Sequence, residues 1–339
     1  MPVDSPAYSE RGMVDRFGRR HSDLRISVTD RCNIRCFYCM PDENLKFLPR
    51  RELLTFEEIA RFVRVAAGMG IEKVRITGGE PLVRSQLSEL IRLLKPIRGI
   101  RDIALTTNGI LLSEQAQQLY DAGLDRLNIS LDALNEETFH RIARRNGLAQ
   151  VLEGIRRAKE IGFSKLRLNA VSIRGTTEPE ILQLARFGRE QGIELRFIEF
   201  MPLDAEQQWT TEQVLSGAEV RRRLEEEFGP LVAVDRPHAS QPASDFAYAD
   251  GRGRVGFINP VSEPFCDACN RVRLTSDGQI RNCLFSTTEW DARKVLRHGG
   301  SDDDLAMLIE SCLQEKKRGH GIDTDDYLQP QRAMYQIGG

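Results

Sequence analysis

No stretch of this 339-residue chain approaches the ~18 consecutive apolar residues of a membrane span, so a membrane protein is not expected. Net charge is almost missing as well. The 48 Lys and Arg against 50 Asp and Glu leave −2, which removes any global electrostatic case for nucleic acid or an anionic membrane as partner. A local basic pocket for a small anion stays open. A readable leader is lacking: residues 1–23 carry Asp4, Arg11, Asp15, Arg16, Arg19, Arg20 and Asp23 with no apolar stretch behind them. The cytoplasm is the expected compartment. Repeats and low-complexity tracts are absent, and cysteine is scarce, with seven in all. In a reducing compartment these do not form a disulfide framework. What remains is ordinary globular composition, 40% hydrophobic and 29% charged, in a chain long enough for one large barrel-type domain or two ordinary ones.

From Leu24 to Met201 short β-type runs alternate with amphipathic helical ones, the pattern of a mainly parallel sheet covered by helices. The strand candidates are Leu24–Thr29, Lys73–Thr77, Asp102–Thr107, Arg126–Leu131, Leu166–Ile173 and Glu194–Phe200; Thr55–Ala67, Gln86–Leu94 and Leu148–Ile161 read as helices between them. Polar motifs sit where these strands finish, and in parallel α/β architectures strand carboxyl ends share one ligand-binding mouth. The alternation stops at Pro202. The expected division is an arm over 1–23, a barrel-like region over 24–201 and a separate region over 202–339, in which Arg271–Thr275 and Gln279–Leu284 form a hairpin through Asp277-Gly278.

Six of the cysteines fall into two groups, Cys32, Cys36, Cys39 and Cys266, Cys269, Cys283. The seventh, Cys312, lies in the helix-like stretch Asp303–Lys317 and reads as a buried, inert thiol. A cubane [4Fe–4S] centre normally takes four cysteines, so a group of three leaves one iron open to a substrate. Structural zinc is the alternative for both groups, completed by His21 at the first or His298 at the second. In the hairpin, a turn at Asp277-Gly278 sets Cys283 opposite Val272 and lets it return toward Cys269. Arg271 and Arg273 share one face of the first hairpin strand, beside the cysteines, and guanidinium forks match phosphate oxygens.

Cys32-x3-Cys36-x-Tyr38-Cys39 after a first strand resembles the cluster motif of the radical S-adenosylmethionine (SAM) superfamily. That resemblance implies an open iron chelating the amino and carboxylate groups of SAM, whose reductive cleavage yields a 5′-deoxyadenosyl radical. Thr77-Gly78-Gly79-Glu80-Pro81 resembles the motif that meets the methionine amino group, its glycines expected to let main chain approach the ligand. Gly79, Ser130, Tyr38 and Met201 become the implied SAM contacts, Ser130 toward the carboxylate and Tyr38 and Met201 toward adenine.

Adding Cys266-Asp267-Ala268-Cys269-Asn270-Arg271-Val272-Arg273-Leu274 and the terminal Gly338-Gly339, the chain is similar to the GTP 3′,8-cyclase family of molybdenum cofactor biosynthesis from about Phe17 to its end. The implied fold is an incomplete (βα)6 TIM-type barrel closed by a C-terminal α+β region that carries a second [4Fe–4S] cluster. The implied reaction removes hydrogen from ribose C3′ of GTP and joins C3′ to guanine C8, and a companion cyclic pyranopterin monophosphate synthase takes the product onward. GTP contacts would come from Arg25, Arg75, Thr106, Arg271, Val272 and Arg273, and from Arg167 where many members have lysine, with Lys165 able to share that role. The Gly338-Gly339 tail would reach the active site. A reductant protein is implied, and a homodimer is left open. A maturase acting on a peptide is the rival enzyme reading, and a zinc-binding interaction module the non-enzyme one.

Overall fold

The six expected strands all form: β1 (Asp23–Ser27), β2 (Lys73–Thr77), β3 (Asp102–Thr107), β4 (Arg126–Ser130), β5 (Leu166–Ser172) and β6 (Glu194–Glu199). The structure is a computed structural model that describes residues 12–41, 45–322, 324 and 327–338. Each strand pairs in parallel with the next, with Arg25 beside Arg75 and Asn169 beside Arg196. Alternate residues such as Leu24, Ile26, Ile103 and Leu105 point outward into a core shared with the helices, and their polar neighbours point inward. The helix Phe56–Met69 shows how the sequence encodes its bounds. Thr55 and Glu58 cap it reciprocally, and Gly70, at φ 125°, ends it in a conformation that other residues rarely adopt.

The 202–339 region does not fold apart from this sheet. It adds β7 (Leu231–Ala233), β8 (Ser244–Tyr248), β9 (Arg254–Ile258), β10 (Arg271–Leu274), β11 (Gln279–Arg281) and β12 (Trp290–Asp291). β9 pairs in parallel with β6, and β10 in parallel with β1. The result is one mixed twelve-stranded sheet in the order β12-β11-β10-β1-β2-β3-β4-β5-β6-β9-β8-β7. It is an α/β fold of partial-barrel type.

The expected hairpin is present in a different register. Arg273 faces Arg281 and Leu274 faces Ile280, so the ladder extrapolates Cys283 toward Arg271 rather than Val272. The cause is a three-residue loop: Gly278 N donates to Thr275 O, and Gly278 takes φ +82° before the chain re-enters the ladder. A two-residue turn at Asp277-Gly278 would have shifted every pair by one.

The arm is built in from residue 12 onward. Asp15 and His21 are buried, and Arg19 Nε donates to Asp15 Oδ2 at 2.7 Å. Arg19 then donates to the carbonyls of Cys266 (2.7 Å), Arg318 (2.8 Å) and Lys317 (2.9 Å), holding the second cysteine loop from below.

Candidate active site

The inward ends of the strands enclose a cavity of about 280 Å³ that brings together residues far apart in sequence. Of the expected contacts, Cys32, Cys36, Cys39, Tyr38, Gly79, Ser130, Met201, Arg25, Arg75, Thr106, Arg271 and Arg273 line it. A smaller cavity beside it, of about 70 Å³, is lined by Cys266, Cys269 and Cys283 and shares Met201, Arg271 and Arg273 with the first. The two chambers meet there, with Pro260, Phe265 and Leu284 also common to both linings.

At the first cysteine group, burial raises all three thiols, Cys32 to about 11, and Cys39 and Cys32 push Cys36 further. The nearby carboxylates add to this. Glu80 acts on Cys32 and Asp132 on Cys36. Glu80 is itself held up to about 7 by burial, against donors from Asn108 N, Thr107 Oγ1 and Leu82 N. Tyr38 Oη donates to Asp132 Oδ2 at 2.6 Å, fixing the cysteine loop to β4. Among the described residues no three Cys, His, Asp or Glu side chains converge as a single-ion site. His21 faces Asp15 beneath the second group instead, and His298 is exposed at a helix end.

The glycines of the Gly78-Gly79 turn serve the protein before any ligand. A Cβ on Gly78 would meet Thr29 O at 2.7 Å, and one on Gly79 would collide with Arg31 O. Their missing side chains let the β2 loop bond the cysteine loop, through Gly79 N to Thr29 O (2.7 Å) and Glu80 N to Arg31 O (2.7 Å). Backbone of the cysteine loop fills the space that each Cβ would take, and Gly78 and Gly79 still line the cavity.

Opposite these carboxylates lies a row of guanidiniums. The register sets Arg75, Arg25 and Arg273 side by side on β2, β1 and β10. Removal from water and mutual repulsion pull each down to about 9, still cationic at neutral pH. The Nε atoms of Arg25, Arg75 and Arg271 and the hydroxyl of Thr106 have no protein partner. Asp23 faces the row without forming an ion pair among the described residues. Buried like charges with orphaned donors are costly unless an anion completes them, so this wall fits a polyphosphate.

In the second cysteine group burial raises Cys266 as it raises the first three thiols, and the contrast lies at Cys269. Burial raises Cys269, but Arg271 and Lys316 overcome it and leave its thiol at about 6. His320 lines this chamber, with Nε2 2.8 Å from Pro260 O.

Three expected contacts are placed differently. Arg167 lies outside the cavity lining and pairs with Glu194 at 3.0 Å, while Lys165 is exposed. Val272 is buried in the core, 1% exposed, so only its main chain is near the site. Gly338 is at the cavity edge, packed on Ser27 and Thr77, and its carbonyl accepts from Arg273 Nη1. Gly339 lies outside the described residues. Sequence reasoning missed Asn128, Asn169 and Arg196, which line the cavity, whereas Asn108 and Asp132, which line it too, fall within the polar motifs read at the ends of β3 and β4. Asn128, Asn169 and Arg196 were signalled: each is a polar residue with an apolar neighbour on either side within its strand.

Residues 26–188 match the Radical SAM superfamily, and residues 193–322 match Molybdenum Cofactor Synthesis C. The chain is 52% identical over 330 residues to a GTP 3′,8-cyclase of Rhodopirellula baltica, covering 96% of this chain and 92% of that one. It is 45% identical over 344 residues to a GTP 3′,8-cyclase of Corynebacterium glutamicum, covering 98% and 91%. Among solved structures, Streptococcus suis SuiB bound to S-adenosylmethionine aligns with TM-score 0.60 at 18% identity over 86% of this chain and 68% of that one. Native anSMEcpe with bound AdoMet aligns with TM-score 0.57 at 16% identity over 88% and 81%. The structures share the fold; the sequence relatives go further, and with such identity over nearly its whole length this chain belongs to the GTP 3′,8-cyclase family of the radical SAM superfamily.

Proposed function

We propose that the protein converts GTP to (8S)-3′,8-cyclo-7,8-dihydroguanosine 5′-triphosphate, the first step of molybdenum cofactor biosynthesis. The observation that carries this reading is the in-register row Arg75, Arg25 and Arg273 on the wall of the cavity that also receives Cys32, Cys36 and Cys39. A triphosphate site and a radical-generating site share one chamber. Cys32, Cys36 and Cys39 would hold a [4Fe–4S] cluster with an open iron, and Cys266, Cys269 and Cys283 a second. When bound at Cys32, Cys36 and Cys39, the first would supply the electron for reductive cleavage of SAM.

The chain's own work is placement. Glu80, Ser130, Gly79 and the main chain of Tyr38 and Met201 orient SAM. Arg25, Arg75, Thr106, Arg271 and Arg273 hold the triphosphate, so that ribose C3′ lies toward the first cluster and the base toward the second. Orientation and exclusion of water are the large terms in such a site. The carbonyl of Gly338 on Arg273 supports a role for the tail in holding that arginine toward the nucleotide. The reading includes a protein reductant, a companion cyclic pyranopterin monophosphate synthase and residence in the cytoplasm; among the described residues no helix is long and apolar enough to cross a membrane.

The test is anaerobic incubation of the reconstituted protein with SAM, GTP and reductant, followed by mass analysis of the nucleotide. A cyclised product isomeric with GTP, of unchanged mass and separated from it by chromatography, is expected. 5′-Deoxyadenosine with unaltered GTP would overturn the assignment.

A further inference from the structure

Lys316 is the one lysine that falls among the buried residues described, 2% exposed, just past the helix Asp302–Gln314. Its ammonium donates to Arg271 O at 3.0 Å and to Asn282 O. These two carbonyls are not arbitrary. Arg271 follows Cys269 by two positions and opens β10, and Asn282 immediately precedes Cys283. One ammonium therefore ties together the two backbone segments that must bring Cys269 and Cys283 to a common centre.

The titratable groups facing Lys316 are the His21 imidazole, the Cys312 thiol and the Cys269 thiol, and from β10 it meets the carbonyl of Arg271. No carboxylate pairs with it among the described residues: Asp15, the acid beside His21, is engaged by Arg19 and His21. An ammonium taken out of water with only neutral acceptors is expensive and ordinarily acquires an anionic partner. Among the described residues the anionic partner within its reach is the Cys269 thiolate, with the cluster it would help hold, which would be net negative and would gain a further negative charge on reduction.

Resting on the reading that Cys266, Cys269 and Cys283 hold a second cluster, we propose that Lys316 is that cluster's counter-charge, a positioning residue that spaces Cys269 and Cys283 and favours the cluster's reduced form. Net charge and the hydrogen bonds around the sulfurs are what set the potentials of such clusters, and a fixed cation at close range in a poorly screened site acts directly on the reduction step.

The experiment uses the full-length protein, reconstituted anaerobically, as wild type, Lys316→Met and Lys316→Arg. Iron and sulfide are counted, and the midpoint potential is read by EPR from the signal that Cys283→Ala removes. Lys316→Met should retain both clusters but lower the second potential by at least about 59 mV, a tenfold shift in a one-electron couple, with the first unchanged and Lys316→Arg close to wild type. Loss of only the second cluster in Lys316→Met, with retention in Lys316→Arg, supports the same conclusion. An unchanged potential at full iron content overturns it, as does equal loss of the cluster in both variants. Wild-type protein that takes up iron for a single cluster would instead refute the underlying two-cluster reading.

Discussion

Cys32, Cys36 and Cys39 come from one short loop at the end of β1 and face carboxylates, Glu80 and Asp132; Cys266, Cys269 and Cys283 are gathered from a loop and a hairpin and face cations, Arg271 and Lys316. The cavity is thereby polarised. SAM carries a sulfonium and an ammonium, and GTP carries a triphosphate. The same ligand set, placed against walls of opposite sign, divides the labour: the acidic end suits the cationic cosubstrate and the basic end the anionic substrate.

The largest expected effect separates the two groups. Cys32→Ala should abolish formation of 5′-deoxyadenosine, whereas Cys283→Ala should leave it measurable and remove cyclised nucleotide, both read by chromatography. Equal loss of 5′-deoxyadenosine from both would break the division.

Acid should then act on the second region first. His21 is held at about 4, below its ordinary 6.5, by burial and by Lys316. The neutral ring's contribution is complete above 6.5 and is lost as pH falls toward 4, a shift worth about 3 kcal/mol. Urea unfolding across that window should show this loss in the wild type and a flatter profile in His21→Gln.

Next in size, Arg271→Ala or Arg273→Ala should weaken GTP more than guanosine, by about 1.5–3 kcal/mol in calorimetry, because a charge-assisted bond is lost only when phosphates are present. Losses equal for both ligands would remove the phosphate assignment. At the acidic end, Glu80 titrates near 7, and a bound cation favours its ionised form. SAM should therefore bind about tenfold more tightly at pH 8 than at pH 6, as the ionised fraction of a group with that pKa rises, and Glu80→Gln should flatten the dependence. The smallest effect is expected at Arg167. Its charge is already matched by Glu194, so Arg167→Ala should change GTP affinity less than either hairpin arginine does.

Much of this contrast was legible before the structure. The six strands were read to within a residue or two, because apolar alternation and polar strand ends are local signals. The first cysteine group is local too, and so was found whole. The hairpin that carries Cys283 was found but misregistered, since whether Asp277-Gly278 makes a two- or a three-residue loop depends on where Thr275 and Gln279 pair. Lys316 and Arg19 could not be picked out: in sequence each is one basic residue among others at a helix end or in an arm, and only long-range packing decides which is buried. Arg167 shows the opposite error. Its inward position on β5 was correct, but its counter-ion comes from β6, a pairing that register alone determines.

The contact of Gly78 and Gly79 with the carbonyls of Thr29, Asp30 and Arg31 has a consequence for the order of assembly. With no side chain between them, the cysteine loop and the Glu80 loop mesh like two teeth of a gear, and neither shifts without the other. The two loops therefore come into place together, and neither can precede the other. Gly79→Ala would jam that gear whatever ligand is present, and its inactivity would report the mesh of the loops rather than a lost contact with SAM.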